Sequence, residues 1–203
     1  MKITSIKMVS IKGSRPVFSS PTRKRNQNCF SLVRLKISEI KEFLKKNLSR
    51  DRYIHTLSLR KLAIRLAKHH GLGLKDICRV ELAALLHDCH KKLEEDNHSF
   101  LAAKFVKKNF GITDRKILSA IEHHTYGHRN MSKLSKIIYL ADISEPKRLF
   151  KEAKQIRKLA FADIDKAMAA ALSTKMRYVL YEKKQLSLES VILYNKILRN
   201  SIK

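Results

Sequence analysis

From residue 39 onward, apolar residues recur at the three- and four-residue spacing of helices that bury one face. The segment 37–48 sets Ile37, Ile40, Phe43 and Leu44 in one stripe, and 52–70 sets Leu59, Leu62, Ala63 and Leu66 in another. Strand-like alternation is scarce, and only 5 Gly and 3 Pro interrupt the chain. This pattern predicts an all-α fold, a helical bundle. Gly71, Gly111 and Gly127 follow helical stretches and are expected to stop them. Ser132 is placed to cap a helix over 133–144, which Pro146 closes. Further helices are predicted over 76–92, 99–110, 114–125, 150–160, 163–183 and 187–199.

A chain of 203 residues with 44% apolar content can build a proper core, which excludes global disorder. Residues 1–38 differ from the rest. They contain no Asp or Glu, and they hold Pro16, Pro21 and the cluster Arg23-Lys24-Arg25. This segment is expected to be a basic tail, disordered or targeting, ahead of a domain over 39–203. Cytoplasm is the default location, with organelle targeting by the tail as the alternative. Cys29, Cys78 and Cys89 form no CxxC pair, which favours a reducing compartment. No apolar run is long enough to span a bilayer.

The formal net charge is +26, from 44 Lys+Arg against 18 Asp+Glu. Such a balance attracts nucleic acid, phospholipid or phosphate-rich small molecules. A solvated lysine-rich surface accounts for it equally well. Aromatics that would stack bases are sparse, and no nucleic-acid module is visible.

Four positions interrupt the apolar stripes with groups that are costly to bury alone: His55, the pair His87-Asp88, and Asp142. "AALLHDCHKK" and "IIYLADISEP" are core-like runs that end on such groups. Two imidazoles and two carboxylates in an apolar frame point to a metal ion, with positions left for water and substrate. Mixed nitrogen and oxygen ligation suits Fe, Mn, Zn or Mg. Singly, each residue has a plain structural explanation: Asp142 can pair with Lys147 or Arg148, and Asp88 with Lys91 or Lys92. The joint pattern carries the metal reading.

The ordered segments "RYIHTLSLRKLA", "AALLHDCHK", "AIEHHTYG" and "IIYLADISEPKR" resemble the successive motifs of the HD-domain phosphohydrolases. More narrowly, they resemble the YqeK family of symmetrical bis(5′-nucleosyl)-tetraphosphatases, over about residues 39–200. The resemblance implies an all-helical fold, a bound divalent metal, most often iron, and hydrolysis of diadenosine tetraphosphate to two ADP by a metal-activated water. It implies His55, His87, Asp88 and Asp142 as metal ligands. Lys91 matches the lysine of the family's HD-x-x-K motif, and His98 and His124 match histidines that face the polyphosphate or a second metal. Arg52 and Arg148 match arginines that contact the nucleotide. Asp88, Lys91, His98 and His124 are thereby the expected catalytic groups. Cys89, His90 and Ala141, inside the same motifs, join the substrate-binding set. A dinucleoside polyphosphate or another nucleotide is the implied partner. A homodimer is left open, and neither nucleic acid nor a membrane is required.

The chain departs from the family in places. Nine residues separate Asp88 from His98, where the family carries a longer segment. Cys89-His90 and Ile143-Ser144 replace residues usual in their motifs. These changes are expected to touch substrate choice more than the metal. The competing expectations are an HD phosphohydrolase acting on another nucleotide or phosphate ester, and a basic RNA-associated protein with a relict site.

Overall fold

A computed structural model describes residues 29–89 and 98–201, with side-chain surroundings over 37–89 and 98–200. Among the described residues there are nine α-helices and no strand. They are α1 (Cys29–Asn47), α2 (Arg50–His69), α3 (Leu74–Leu86), α4 (His98–Phe110), α5 (Arg115–Glu122), α6 (Lys133–Ser144), α7 (Lys151–Ala162), α8 (Ile164–Tyr181) and α9 (Leu188–Ser201). The all-helical expectation holds. Helix α1 starts at Cys29, within the last ten residues of the segment read as a tail; residues 1–28 lie outside the described residues. None of the described helices is long and apolar enough to cross a membrane.

Caps fix several helix starts. Ser49 Oγ accepts from Arg52 N, Asp114 Oδ1 from Lys116 N, and Ser132 Oγ from Ser135 N. Asp163 Oδ1 accepts from both Asp165 N and Lys166 N, which separates α7 from α8 by a single residue. The glycines expected to stop α2 and α4, Gly71 and Gly111, follow those helices directly or within two residues.

Helices α2, α3, α5 and α6 pack on one another and form the centre. Helix α6 is the axis of the molecule: it also touches α7 and α8, and nine of its twelve residues are buried. Leu59, Leu62 and Leu66 of α2 meet Leu85 and Leu86 of α3 and Ile137, Ile138 and Leu140 of α6 in one apolar cluster. Helix α4 lies on α5, and α9 on α8. Arg79 joins α3 to the α5 cap, donating to Asp76 Oδ1 at 2.7 Å and to Asp114 Oδ2 at 2.8 Å.

The turn after α5 closes on Gly127, whose φ of +75° suits a residue without a Cβ. A Cβ there would lie 2.7 Å from Leu193 Cδ2 of α9. Gly127→Ala is expected to destabilise the fold by about 1–3 kcal/mol, from left-handed backbone strain and the displaced leucine. A urea midpoint equal to that of the wild-type chain would refute it.

Candidate active site

The pair His87-Asp88 does not continue a helix over 76–92 as the periodicity predicts. Helix α3 ends at Leu86, and residues 87–89 form a turn. The reason is a competing hydrogen bond. In a continuing helix the Ala84 carbonyl would accept from the backbone N–H of Asp88. Here it accepts from His87 Nδ1–H, at 2.9 Å. The same device closes α5, which ends at Glu122 and not at Thr125. His124 Nδ1–H donates to the Ile121 carbonyl at 2.7 Å. Both imidazoles therefore satisfy a helix-end carbonyl with one nitrogen. Each turns Nε2, with its lone pair, toward a common centre.

Around that centre the structure gathers groups from five elements. His55 comes from α2, His87 and Asp88 from the α3 turn, His98 from the start of α4, His124 from the α5 turn, and Asp142 from α6. The rings of His55 and His87 lie 5.6 Å apart, those of His87 and His124 5.0 Å, and those of His98 and His124 5.3 Å. His55 Nε2 is 3.1 Å from Asp142 Oδ1. Asp88 Oδ1 lies 3.3 Å from His124 Nε2 and 3.7 Å from His98 Nε2. Thr125 Oγ1 sits between two imidazoles, 2.9 Å from His98 Nε2 and 3.2 Å from His124 Nε2.

The electrostatics match a cation site. Burial brings the His87 pKa down to about 4, so its ring is neutral at physiological pH with a lone pair available. Among the described residues, its buried Nε2 has no hydrogen-bond partner, an arrangement that is costly unless a ligand occupies it. Burial raises the Asp142 and Asp88 pKa values, but the neighbouring imidazoles outweigh it and hold both carboxyls below their ordinary range. Burial lowers the His55 pKa, yet Asp142 and Glu145 raise it more.

Two overlapping triads have ligand atoms within 4.8 Å of one another: His55, His87 and Asp142, and His87, Asp88 and His124. The residues present thus fit a divalent ion. Both triads use His87, whose ring has one lone pair left, so His87 can complete only one of them at a time. A second ion would need other donors.

Arg148, just beyond α6, donates from Nη2 to Asp142 Oδ1 at 3.1 Å and from Nε to the Asp142 carbonyl at 3.1 Å. Arg52 and Arg148 line an open groove that reaches His55 and Asp88. Ala141 is fully buried in α6, within the core cluster. Cys89 is also buried, and burial pushes its thiol pKa up to about 12, so it carries no charge. His90 and Lys91 lie outside the described residues.

Three groups at the site escape a reading of the sequence. Glu145 is buried, and its Oε1 lies 3.2 Å from His55 Nδ1; its Oε2 accepts from Lys147 N at 2.7 Å. A carboxylate on the far nitrogen of an imidazole fixes its tautomer and orientation toward a metal. Thr125 joins His98 to His124 as described above. Lys175 of α8 donates to the Thr125 carbonyl at 2.7 Å and lies over the Tyr139 ring, 4.5 Å from its centroid. It thereby ties α8 to the turn that carries His124. Glu145 had a signal in the "SEP" segment, where a carboxylate closes a buried run; Lys175 had none.

The helical frame and the His-Asp cluster define a hydrolase of the HD-domain class, the family whose description matches residues 52–147. Sequence relatives narrow this. The symmetrical bis(5′-nucleosyl)-tetraphosphatase of Bacillus subtilis is 29% identical over 78% of this chain and 95% of its own length. The protein of the same name from Halalkalibacterium halodurans is 32% identical over 77% of this chain and 94% of its own. A crystal structure of an HD superfamily hydrolase described as involved in NAD metabolism, from Clostridium acetobutylicum, superposes with a TM-score of 0.74 at 31% identity. It covers 81% of this chain and 97% of that one. The chain belongs to the symmetrical bis(5′-nucleosyl)-tetraphosphatase (YqeK) family of HD-domain hydrolases.

Proposed function

We propose that this chain cleaves diadenosine tetraphosphate, and related dinucleoside tetraphosphates, at the central anhydride to give two nucleoside diphosphates. The observation that carries this reading is the buried, neutral and unpartnered Nε2 of His87 beside two ionised carboxylates. In this reading His55, His87, Asp88 and Asp142 hold a divalent ion. Iron is the metal that the family resemblance implies, with Mn, Zn and Mg as alternatives compatible with nitrogen and oxygen donors. When bound, such an ion polarises phosphoryl oxygens and brings the pKa of a water toward neutrality.

The chain's own groups do the rest. Asp88, kept ionised by the imidazoles around it, accepts a hydrogen bond from the attacking water and orients it. The water oxygen bonds to one inner phosphorus, and the anhydride bond between the two inner phosphates breaks. The bridging oxygen leaves with the second nucleoside diphosphate. His98, joined through Thr125 to His124, faces the departing phosphate and stabilises its charge or gives it a proton, and the proton that the water sheds leaves by way of Asp88. Arg52 and Arg148 spread positive charge along the polyphosphate, with Lys91 in the same role. Attack on either inner phosphorus yields equal halves.

Residues 39–203 constitute the catalytic domain in this reading. The partner is a small nucleotide, so no nucleic acid and no membrane is needed; cytoplasm is the fitting location, and a homodimer is compatible with it. The decisive experiment is product analysis after incubation with diadenosine tetraphosphate and a divalent metal. ADP alone is expected. ATP plus AMP would mean cleavage at an outer anhydride and would overturn the reading.

A further inference from the structure

Two consecutive carbonyls on the turn after α5 are taken by side chains from the last two helices. The Thr125 carbonyl accepts from Lys175 Nζ of α8 at 2.7 Å, and the Tyr126 carbonyl accepts from Ser190 Oγ of α9 at 2.7 Å. Both donors lie beyond residues 52–147, the stretch that the HD-domain description matches. The turn they hold carries His124 and Thr125. Thr125 is thereby engaged at two places. Its carbonyl is fixed by Lys175, and its hydroxyl stands between His98 Nε2 and His124 Nε2. With two soft dihedrals per residue, a shift of the carbonyl carries the hydroxyl with it.

For a tie between helices alone, an ammonium is a costly choice. Lys175 is half-buried, and a charge drawn out of water needs partners that a neutral donor does not. Its surroundings supply them. The ammonium lies over the face of the buried Tyr139 ring, 4.5 Å from the centroid. It stands just past the carboxyl end of α5, where a helix favours positive charge. Its field also reaches Asp142: burial raises the pKa of that carboxyl, and His55, His87 and Lys175 together hold it below its ordinary range. One side chain of α8 thus faces both the His124 turn and the Asp142 carboxylate.

Resting on the tetraphosphatase reading, we propose that Lys175 is a positioning residue for the cleavage, acting through the Thr125 carbonyl to fix the hydroxyl that joins His98 to His124. The ammonium does not bind the substrate in this role. It sets, from outside the matched stretch, where the groups at the departing phosphate stand.

Lys175→Met keeps the stem and removes the ammonium. Steady-state kinetics with diadenosine tetraphosphate in excess divalent metal should show kcat lower by roughly 10- to 100-fold and KM within about twofold of the wild-type chain. Lys175→Arg keeps a charged donor and should recover most of the loss. Calorimetry with ADP as the probe separates positioning from contact, since the Met variant should bind ADP within about twofold of wild type. Unchanged kcat in the Met variant, no recovery in the Arg variant, or ADP binding weakened in step with kcat overturns the proposal. A further readout needs no turnover. In the zinc-loaded chain, the imidazole nitrogen resonances of His98 and His124 should move in Lys175→Met, and those of His69, which bonds the Phe161 carbonyl at the end of α2, should stay. Unmoved His98 and His124 resonances overturn the proposal whatever the kinetics. Failure of the wild-type chain to release ADP would count against the proposed reaction and leave this readout standing.

Discussion

Asp142→Asn abolishes measurable cleavage of diadenosine tetraphosphate and lowers the metal content of the purified chain well below one equivalent. That is the expected result with the largest effect. Asp142 Oδ1 meets both His55 Nε2 and Arg148 Nη2 at 3.1 Å, so one oxygen serves the candidate cation position and Arg148 together. An amide has nearly the same shape but no charge. It removes the anion that balances a cation in a buried setting, and it leaves Arg148 without its ionic partner. Elemental analysis of the purified variant, beside nucleotide separation after turnover, reads both consequences. Full metal content with lost activity would place Asp142 in substrate binding only. Retained activity would remove it from the site.

The second large effect is expected at Glu145, which lies one atom shell farther out. Glu145→Ala should weaken metal binding by about 10–100-fold, the usual consequence of removing a carboxylate behind a metal-bound imidazole. His55 Nδ1–H would lose its acceptor in a part-buried place, and the ring would lose its fixed tautomer. Activity at limiting metal should fall, and saturating metal should restore most of it. Glu145→Gln keeps an acceptor oxygen and should lie between the two. Chelator competition measures the affinity directly. A purely structural role for Glu145 would lower stability without the rescue by metal, and that outcome would refute the assignment.

The helical stripes were legible because burying one face of a helix requires the three- and four-residue spacing that Leu59, Leu62, Ala63 and Leu66 show. Helix starts were legible where a local group makes them, as at Ser132. The ends of α3 and α5 were not, because the apolar pattern runs on past Leu86 and Glu122. What stops these helices is an imidazole taking a backbone carbonyl, and its ring direction follows from the tertiary frame. The start of α1 was hidden too: absence of acids before Glu39 reads as a tail, yet the helix begins at Cys29.

The cluster itself followed from residue types. His55, His87, Asp88 and Asp142 were anomalous in apolar runs, and the fold brings them together with His98 and His124. The supporting groups were not visible in the same way. Lys175 is one among 44 Lys+Arg, and nothing local distinguishes it from a solvated lysine. Its hydrogen bond to the Thr125 carbonyl spans fifty positions in sequence, which only the packing of α8 against α6 makes short.

The direction of the helices has its own consequence. Helices α3, α5 and α6 all end at the site, so their carboxyl ends, each equivalent to roughly half a negative charge, converge where His87, His124 and Asp142 stand. This is the opposite of the helix amino-terminal cradle that receives a phosphate unaided. Among the described residues only the start of α4, at His98, opposes them, so a tetraphosphate approaching the bare centre meets carboxylates and mostly helix ends of its own sign. The fold therefore makes the order of loading a matter of electrostatics: the cation comes first, and the polyanion follows it in.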